Sequence, residues 1–497
     1  MPPSAVVSTE DTAVRFRPGV ILVVAAAAAI VGALPIAGLP PAAHRVLVIL
    51  IVTTGLWMTE SLPVAITALL IPVLALMMGA ADARAAFAGF GDPIVFLFMG
   101  TFMLTEASAQ HGLNGRLANA VLTSRWVRGG THRLLWAVAL LGCGISAWVN
   151  NTATTALLLP LALTAEVGSR RLLIAVLLMA AYAPSLGGLA TPVGTAPNLI
   201  GLRLLEEATG ERPSFAAWCA VFAPLAVLMT ALSAAWLRWG SRDRGVAGGG
   251  PASLGGPLRR REVASEAAPA HGSTRPWSLA ERTLIPVFIG VVLLWITPGI
   301  LAATPLREAA WVKLWQSRLP EPAVPVLGAL TLFMLPSGGR SGARILDITV
   351  LRRLDWSTLL LFGGGLSLGS LMFESGLARF LGEAIFSAMP IHGTYGIVLA
   401  ATLMAVLVSE MTSNTASASL VVPVVLALAL AAGVDPVKPA LAATAACSFG
   451  FMLPVSTPPN ALVYGTGRVP IRDMIVQGVV LDLVGILVVS AWVTLFA

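Results

Sequence analysis

Two short polar knots interrupt long apolar stretches of this 497-residue chain. They are Asn150-Asn151-Thr152, inside 134–167, and Ser413-Asn414-Thr415, inside 394–432. Amide and hydroxyl groups bring both hydrogen-bond donors and acceptors. A second kind of interruption follows each knot: Ala190-Thr191-Pro192-Val193-Gly194-Thr195-Ala196-Pro197-Asn198 in one case and Pro454-Val455-Ser456-Thr457-Pro458-Pro459-Asn460 in the other. Prolines remove donors and glycine loosens the backbone, so neither run continues as a helix. A broken helix leaves free carbonyls at one new end and free amides at the other. The carbonyl end suits a small hard cation that prefers oxygen, and the amide end suits an anion. Four such places could therefore hold a cation and an anion together. No Lys, Arg or His lies within any of them. A dianion brought into a membrane needs compensating charge, and without a fixed base at the breaks a bound cation is the natural supply. The pattern favours cation-coupled anion symport over uniport.

The elements that must position these groups are membrane helices. A bilayer core takes about 20 apolar residues per helix. Such runs fall near 20–40, 43–60, 62–80, 92–110, 171–190, 214–237, 283–302, 322–336, 356–375, 438–455 and 473–496. The two stretches with polar knots read instead as re-entrant hairpins whose tips stop in mid-membrane, where non-helical backbone is tolerated only against protein or a watery cavity. Arg15 and Arg17 precede the first run, which lacks a convincing cleavage site and is kept as a span. The fold expected is an all-α polytopic membrane protein of about 11 transmembrane helices plus two re-entrant helical hairpins.

The sequence repeats itself. Asp92 and Asp355 each open an apolar run at an offset of 263, and Asn151-Thr152-Ala153 recurs as Asn414-Thr415-Ala416 at the same offset. His111-Gly112-Leu113 matches Ser375-Gly376-Leu377 at 264, and Gly194-Thr195-Ala196-Pro197-Asn198 matches Ser456-Thr457-Pro458-Pro459-Asn460 at 262. With the spans above, one hairpin enters from each side, so the two repeats have inverted topology, an architecture common in secondary transporters with a midplane site. Serine, threonine and asparagine also glue membrane helices together, and a single knot would be read that way. Two repeat-related tips with two repeat-related breaks favour a binding site.

Composition excludes the soluble classes. The chain is 57% hydrophobic and 11% charged, against about 25% charged in an ordinary soluble domain, and its mean hydropathy is +0.86. The net charge of +7 is a matter of topology: with the N-terminus in the cytoplasm, most arginines fall on that side, as the positive-inside rule requires. The C-terminus is then outside, and nucleic acid is not an expected partner. Residues 241–277, rich in Gly, Ser, Ala, Pro and Arg, read as a disordered cytoplasmic connector between the repeats.

Other reactive residues point to no enzyme. Cys143, Cys219 and Cys447 sit in apolar runs and read as core residues. The five histidines show no metal-ligand spacing, and no metalloprotease, phosphate-loop or nucleophile-elbow motif is present. Of the acids within or near spans, Glu410 and Glu60 are expected to be buried and to hold loop amides, while Glu106, Glu374 and Asp482 carry no assigned role.

Trp57-Met58-Thr59-Glu60-Ser61-Leu62-Pro63, the Trp148-Val149-Asn150-Asn151-Thr152-Ala153-Thr154 tip and the Glu410-Met411-Thr412-Ser413-Asn414-Thr415-Ala416 tip resemble the divalent anion:sodium symporter family. With the two Pro-rich breaks, the resemblance covers about residues 40–490. It implies a homodimer in which a scaffold supports a mobile transport domain, moving as an elevator with a dicarboxylate, citrate or sulfate and several Na⁺. Carried over residue by residue, it places the substrate on Asn150, Asn151, Thr152, Ser413, Asn414 and Thr415, completed by Thr195 and Thr457. It places one Na⁺ near Ser146, Asn150, Asn151 and Gly194, and another near Ser409, Thr412, Asn414 and Ser456. The family has Ser where this chain has Asn150, which leaves open whether the larger amide shrinks the pocket or adds a donor to a carboxylate.

The expected domains are a cytoplasmic tail (1–19), scaffold helices (20–133 and 283–392), transport-domain segments (134–240 and 393–497) and the connector (241–282). The expected function is Na⁺-coupled import of a C4-dicarboxylate (succinate, malate or fumarate) across a bacterial inner membrane. Sulfate or citrate carriage, and proton-coupled or exchange transport, are the alternatives.

Overall fold

A computed structural model describes residues 17–122, 124–128, 131–164, 169–241, 276–302, 304–338, 342–388, 391 and 393–497. Most of the expected tail and connector lies outside the described residues. The first half runs α1 (Pro18–Ala33), α2 (Pro41–Thr59), α3 (Val64–Met77), α4 (Ala83–Phe87), α5 (Pro93–Gln110), α6 (Leu113–Leu122), α7 (Arg125–Arg128), α8 (Thr131–Ser146), α9 (Asn151–Thr164), α10 (Arg170–Gly187), α11 (Ala196–Thr209) and α12 (Phe215–Gly240). The second runs α13 (Leu279–Ala302), α14 (Ala310–Arg318), α15 (Ala323–Met334), α16 (Trp356–Glu374), α17 (Leu377–Ala388), α18 (Gly393–Met411), α19 (Asn414–Ala431), α20 (Val437–Ala446), α21 (Pro458–Gly465) and α22 (Ile471–Phe496).

The helix starts follow from local chemistry. Asp92 caps α5 by accepting from the Ile94 amide at 2.9 Å, and Asp355 caps α16 by accepting from the Thr358 amide at 3.0 Å. The aspartates that marked the repeat in sequence thus do the same work, satisfying amides that a helix start leaves free. Ser169 and Ser214 cap α10 and α12 in the same way.

Among the described residues, nine segments are long and apolar enough to cross a membrane. They differ in what surrounds them. In α10, 94% of the apolar window is buried in protein, against 17% in α13. A helix that is apolar all round belongs either in a protein core or in lipid; α10 takes the first place, while α13 keeps most of its apolar surface outside the chain's own core. Ile289, Leu293 and Ile300 of α13, with Leu330 of α15 and Leu487 of α22, are exposed apolar side chains, a surface that hydrocarbon accepts and water does not. One continuous apolar core joins α5, α8–α13, α15, α18–α20 and α22. A second unites α2, α3, α16, α17 and α19.

Two expectations need adjustment. The run 438–455 is not one helix: α20 stops at Ala446 and the chain is irregular to Thr457, so the second break opens earlier than its prolines suggest. The arms α18 and α19 have 19 and 18 residues, each enough to cross a bilayer by length. They are longer than half-crossing arms, because the turn between them uses only Thr412 and Ser413.

Candidate functional site

The first knot is the turn between α8 and α9. Asn150 Oδ1 accepts from the Ala153 amide at 2.7 Å, which makes Asn150 the cap of α9. Ser413 occupies the same place before α19, its Oγ accepting from the Ala416 amide at 3.3 Å. Asparagine and serine are about equally good caps. The Asn150 side-chain oxygen is therefore directed at its own helix, which explains how an amide stands where the second repeat has a hydroxyl. Ser146 Oγ donates to Asn151 Oδ1 at 2.7 Å, and Ser409 Oγ donates to Asn414 Oδ1 at 3.0 Å. Thr152 and Thr415 are half-buried, and neither side chain makes a hydrogen bond among the described residues.

Each tip is tied to the break that follows it. Thr191 Oγ1 donates to the Ala147 carbonyl. A Cβ on Gly188 would lie 2.9 Å from Asn151 Oδ1 and 3.0 Å from Thr195 Cβ, so only glycine lets the first break press this closely on its tip. In the second half the single Ser409 hydroxyl proton is shared between Asn414 Oδ1 and the Cys447 carbonyl, 2.7 Å away, and Ser456 Oγ reaches both the carbonyl (3.0 Å) and the carboxylate (2.7 Å) of Glu410. Gly450, Ser409 and Ser456 meet around one point. Thr195 and Thr457 are buried at the starts of α11 and α21, with nearly identical backbone angles: φ −148°, ψ 148° and φ −144°, ψ 146°. The structure thus brings Ser146, Asn151, Gly194 and Thr195 to one tip-and-break unit, and Ser409, Thr412, Asn414, Ser456 and Thr457 to the other. The units interlock: α9 packs against α21, and α19 against α11.

Two residues of the breaks were quoted in the repeated motifs but given no role. Asn198 Nδ2 donates to the carbonyls of Gly188 (2.9 Å) and Thr191 (2.8 Å). Asn460 Nδ2 donates to Gly450 (2.8 Å) and Leu453 (3.0 Å). In both halves one buried asparagine staples the two sides of the break through carbonyls ten and seven residues before it. The signal was present in sequence, since both end their motif at the same offset, but nothing there says which carbonyls they reach.

The acids separate by environment. Glu410 is 3% exposed and accepts from the Met452 amide at 2.8 Å, so it holds a loop amide as expected. Glu60 does not: it is exposed and ends α2 in a left-handed conformation, φ 46°, because α2 stops one residue short of it and the chain turns outward. Glu106 pairs with Arg353 at 3.3 Å and Glu374 is exposed, whereas Asp482 is buried. Cys143 and Cys447 are buried free thiols, and Cys219 is half-buried.

Fold and site together define an integral membrane protein of duplicated, interlocking broken helices with a polar centre. Residues 18–496 match the family described as the sodium:sulfate symporter transmembrane region. The chain belongs to this divalent anion:sodium symporter family, whose members are transporters and not enzymes. It is 30% identical over 450 residues to the sodium-dependent dicarboxylate transporter SdcS of Staphylococcus saprophyticus, covering 87% of this chain and 82% of that protein. An uncharacterized transporter of Haemophilus influenzae is 30% identical over 455 residues, covering 90% and 91%. The fold also resembles the YdaH transporter of Alcanivorax borkumensis (TM-score 0.54, 17% identity, 96% of each chain) and Neisseria gonorrhoeae MtrF (0.56, 11%, 97% and 94%).

Proposed function

We propose that this chain is a sodium-coupled secondary symporter that imports a small dianion, foremost a C4-dicarboxylate such as succinate, malate or fumarate. The observation that carries the reading is the duplicated tip-and-break unit, built from hydroxyls, amides and backbone with no basic residue in it. Such a unit offers carbonyls to a cation and helix N-termini to an anion, and leaves the anion's charge to be balanced by the ion that enters with it. The naming of SdcS as a sodium-dependent dicarboxylate transporter supports the substrate class and the coupling ion.

Asn150, Asn151, Thr152, Ser413, Asn414, Thr415, Thr195 and Thr457 hold the anion on this reading. One Na⁺ lies by Ser146, Asn150, Asn151 and Gly194; the other lies by Ser409, Thr412, Asn414 and Ser456. Asn150 offers the remaining lone pair of Oδ1, the other being engaged in the cap, while its backbone carbonyl already accepts from the amide and hydroxyl of Thr154. Segments 134–240 and 393–497 move as an elevator against 20–133 and 283–392 in a homodimer of the bacterial inner membrane, with the N-terminus inside and the C-terminus outside.

The test is uptake of labelled succinate into proteoliposomes under an imposed Na⁺ gradient, with sulfate and citrate in parallel. Uptake that ignores Na⁺ and follows a pH gradient overturns the coupling. Sulfate or citrate transport without succinate transport overturns the substrate.

A further inference from the structure

Behind the second break Asp482, an acid that the tip-and-break sites do not use, meets Glu410, which already holds Ser456 and the Met452 amide. Asp482, in the middle of α22, is 4% exposed, and neither of its carboxylate oxygens accepts a well-formed hydrogen bond. It faces the Glu410 carboxyl of α18 and the backbone of Phe451. Tyr182 of α10 stands beside them, its hydroxyl committed to the Phe451 carbonyl at 2.9 Å. No Lys, Arg or His among the described residues hydrogen-bonds or ion-pairs with either acid. The approach is built in one turn earlier on α22: a Cβ on Gly478 would lie 2.4 Å from the carbonyl carbon and oxygen of Phe451. Only glycine there lets α22 bring Asp482 against the break.

Two adjacent buried carboxylates repel and have lost their water, an arrangement that persists only with a bound cation or with a proton held between them. The first repeat needs neither. Ala147 stands at the position of Glu410, and α12, the counterpart of α22, carries no Asp or Glu. Trp218 Nε1 serves the Leu189 carbonyl there at 2.9 Å. The acid pair is thus an addition to the second repeat and no requirement of the duplicated fold. A hard cation takes oxygen ligands, and the two acids offer both Asp482 oxygens and the lone pairs of Glu410 left free by Met452 and Ser456.

We propose that Asp482 and Glu410 form a further Na⁺ site, so that one coupled ion is carried beyond those at the two tip-and-break units. The proposal rests on the sodium coupling inferred above. A dianion with an ion at each unit is a neutral cargo; the additional ion gives each turnover one net positive charge.

The experiment measures the ratio of ²²Na⁺ to ¹⁴C-succinate and the reversal potential in proteoliposomes, for the wild type and for Asp482→Asn. The expected result is one positive charge per turnover in the wild type. In Asp482→Asn, transport becomes electroneutral with one Na⁺ fewer per succinate. Glu410→Gln is the second variant, with the same expected loss. Electroneutral but Na⁺-dependent transport by the wild type overturns this site and leaves the symport reading standing. So does an unchanged charge-to-succinate ratio in a folded variant, or an extra charge that follows pH and not Na⁺. Wild-type uptake indifferent to Na⁺ overturns the symport reading itself. Should neither variant fold, the wild-type charge count decides.

Discussion

The asparagine staples give the sharpest prediction. Replacing Asn460 with Ala removes both Nδ2 donors and leaves the carbonyls of Gly450 and Leu453, held at 2.8 and 3.0 Å, without that partner. Asn460 is 1% exposed, so water does not readily replace the lost donors. An acceptor orphaned in a buried place costs about 1–3 kcal/mol. Two of them, partly relieved by relaxation of an irregular segment, put the loss near 3 kcal/mol. Asn198→Ala should cost a similar amount, because its two bonds have almost the same lengths and its burial is complete. If the break supplies ligands to Na⁺, part of that loss appears as weaker cation binding, and a share of about 1.4 kcal/mol raises the Na⁺ needed tenfold. The assay is thermal unfolding of purified protein across a Na⁺ series, in which a bound ion stabilises only the folded state. Asn460→Asp keeps the shape while setting a buried carboxyl against two carbonyl oxygens and should destabilise at least as much as Asn460→Ala. Variants that melt as the wild type does, with the same dependence on Na⁺, would refute the reasoning. Equal loss of stability with an unshifted Na⁺ dependence would confine the staples to folding.

Three further outcomes follow from particular contacts. Asn150→Ser should leave stability within about 0.5 kcal/mol of the wild type because both residues cap, whereas Asn150→Ala should cost about 1 kcal/mol; thermal unfolding separates them. Arg116 of α6 holds the buried Glu281 of α13 through Nε at 2.8 Å and a second nitrogen at 3.2 Å. Arg116→Ala should therefore destabilise by about 1–2 kcal/mol, since Glu281 keeps the Ser278 amide at 2.7 Å, as read by thermal unfolding. Asp92→Asn keeps a capping oxygen for α5 and loses the 2.7 Å ion pair to Arg203 of α11. With Arg203 one-third exposed, the stability cost should be about 1 kcal/mol or less. If 134–240 moves against 20–133, the variant should change the rate of uptake and leave its Na⁺ dependence alone, which a Na⁺ titration of uptake decides.

Much of this protein was readable before its fold. Period and length marked the helices, because in lipid a backbone must satisfy itself and leaves long apolar runs as its trace. The repeat was legible because Asp92 and Asp355, and the two Asn-Thr-Ala runs, do the same local work at a fixed offset. The polar tips and Pro-rich breaks stood out because amides and prolines are conspicuous in an apolar sequence. Asn150 shows the limit of such reading: its departure from serine looked like a change in the pocket, whereas the folded chain uses the amide first as a helix cap.

What tertiary structure alone decided are the choices among equivalent apolar surfaces and among acids of one type. Composition could not tell α10, sunk in protein, from α13, most of whose apolar surface lies outside the chain's own core, because a core and a bilayer solvate apolar side chains alike. Glu410 and Glu60 were both expected to be buried, and only Glu410 is, since each is a glutamate beside a helix end and only the packing of α18 against the second break separates them. Asp482 reads as one acid in a long apolar helix. It meets Glu410 only because Gly478 lets α22 close on Phe451, a contact set by the spacing of two backbones 27 residues apart in the chain.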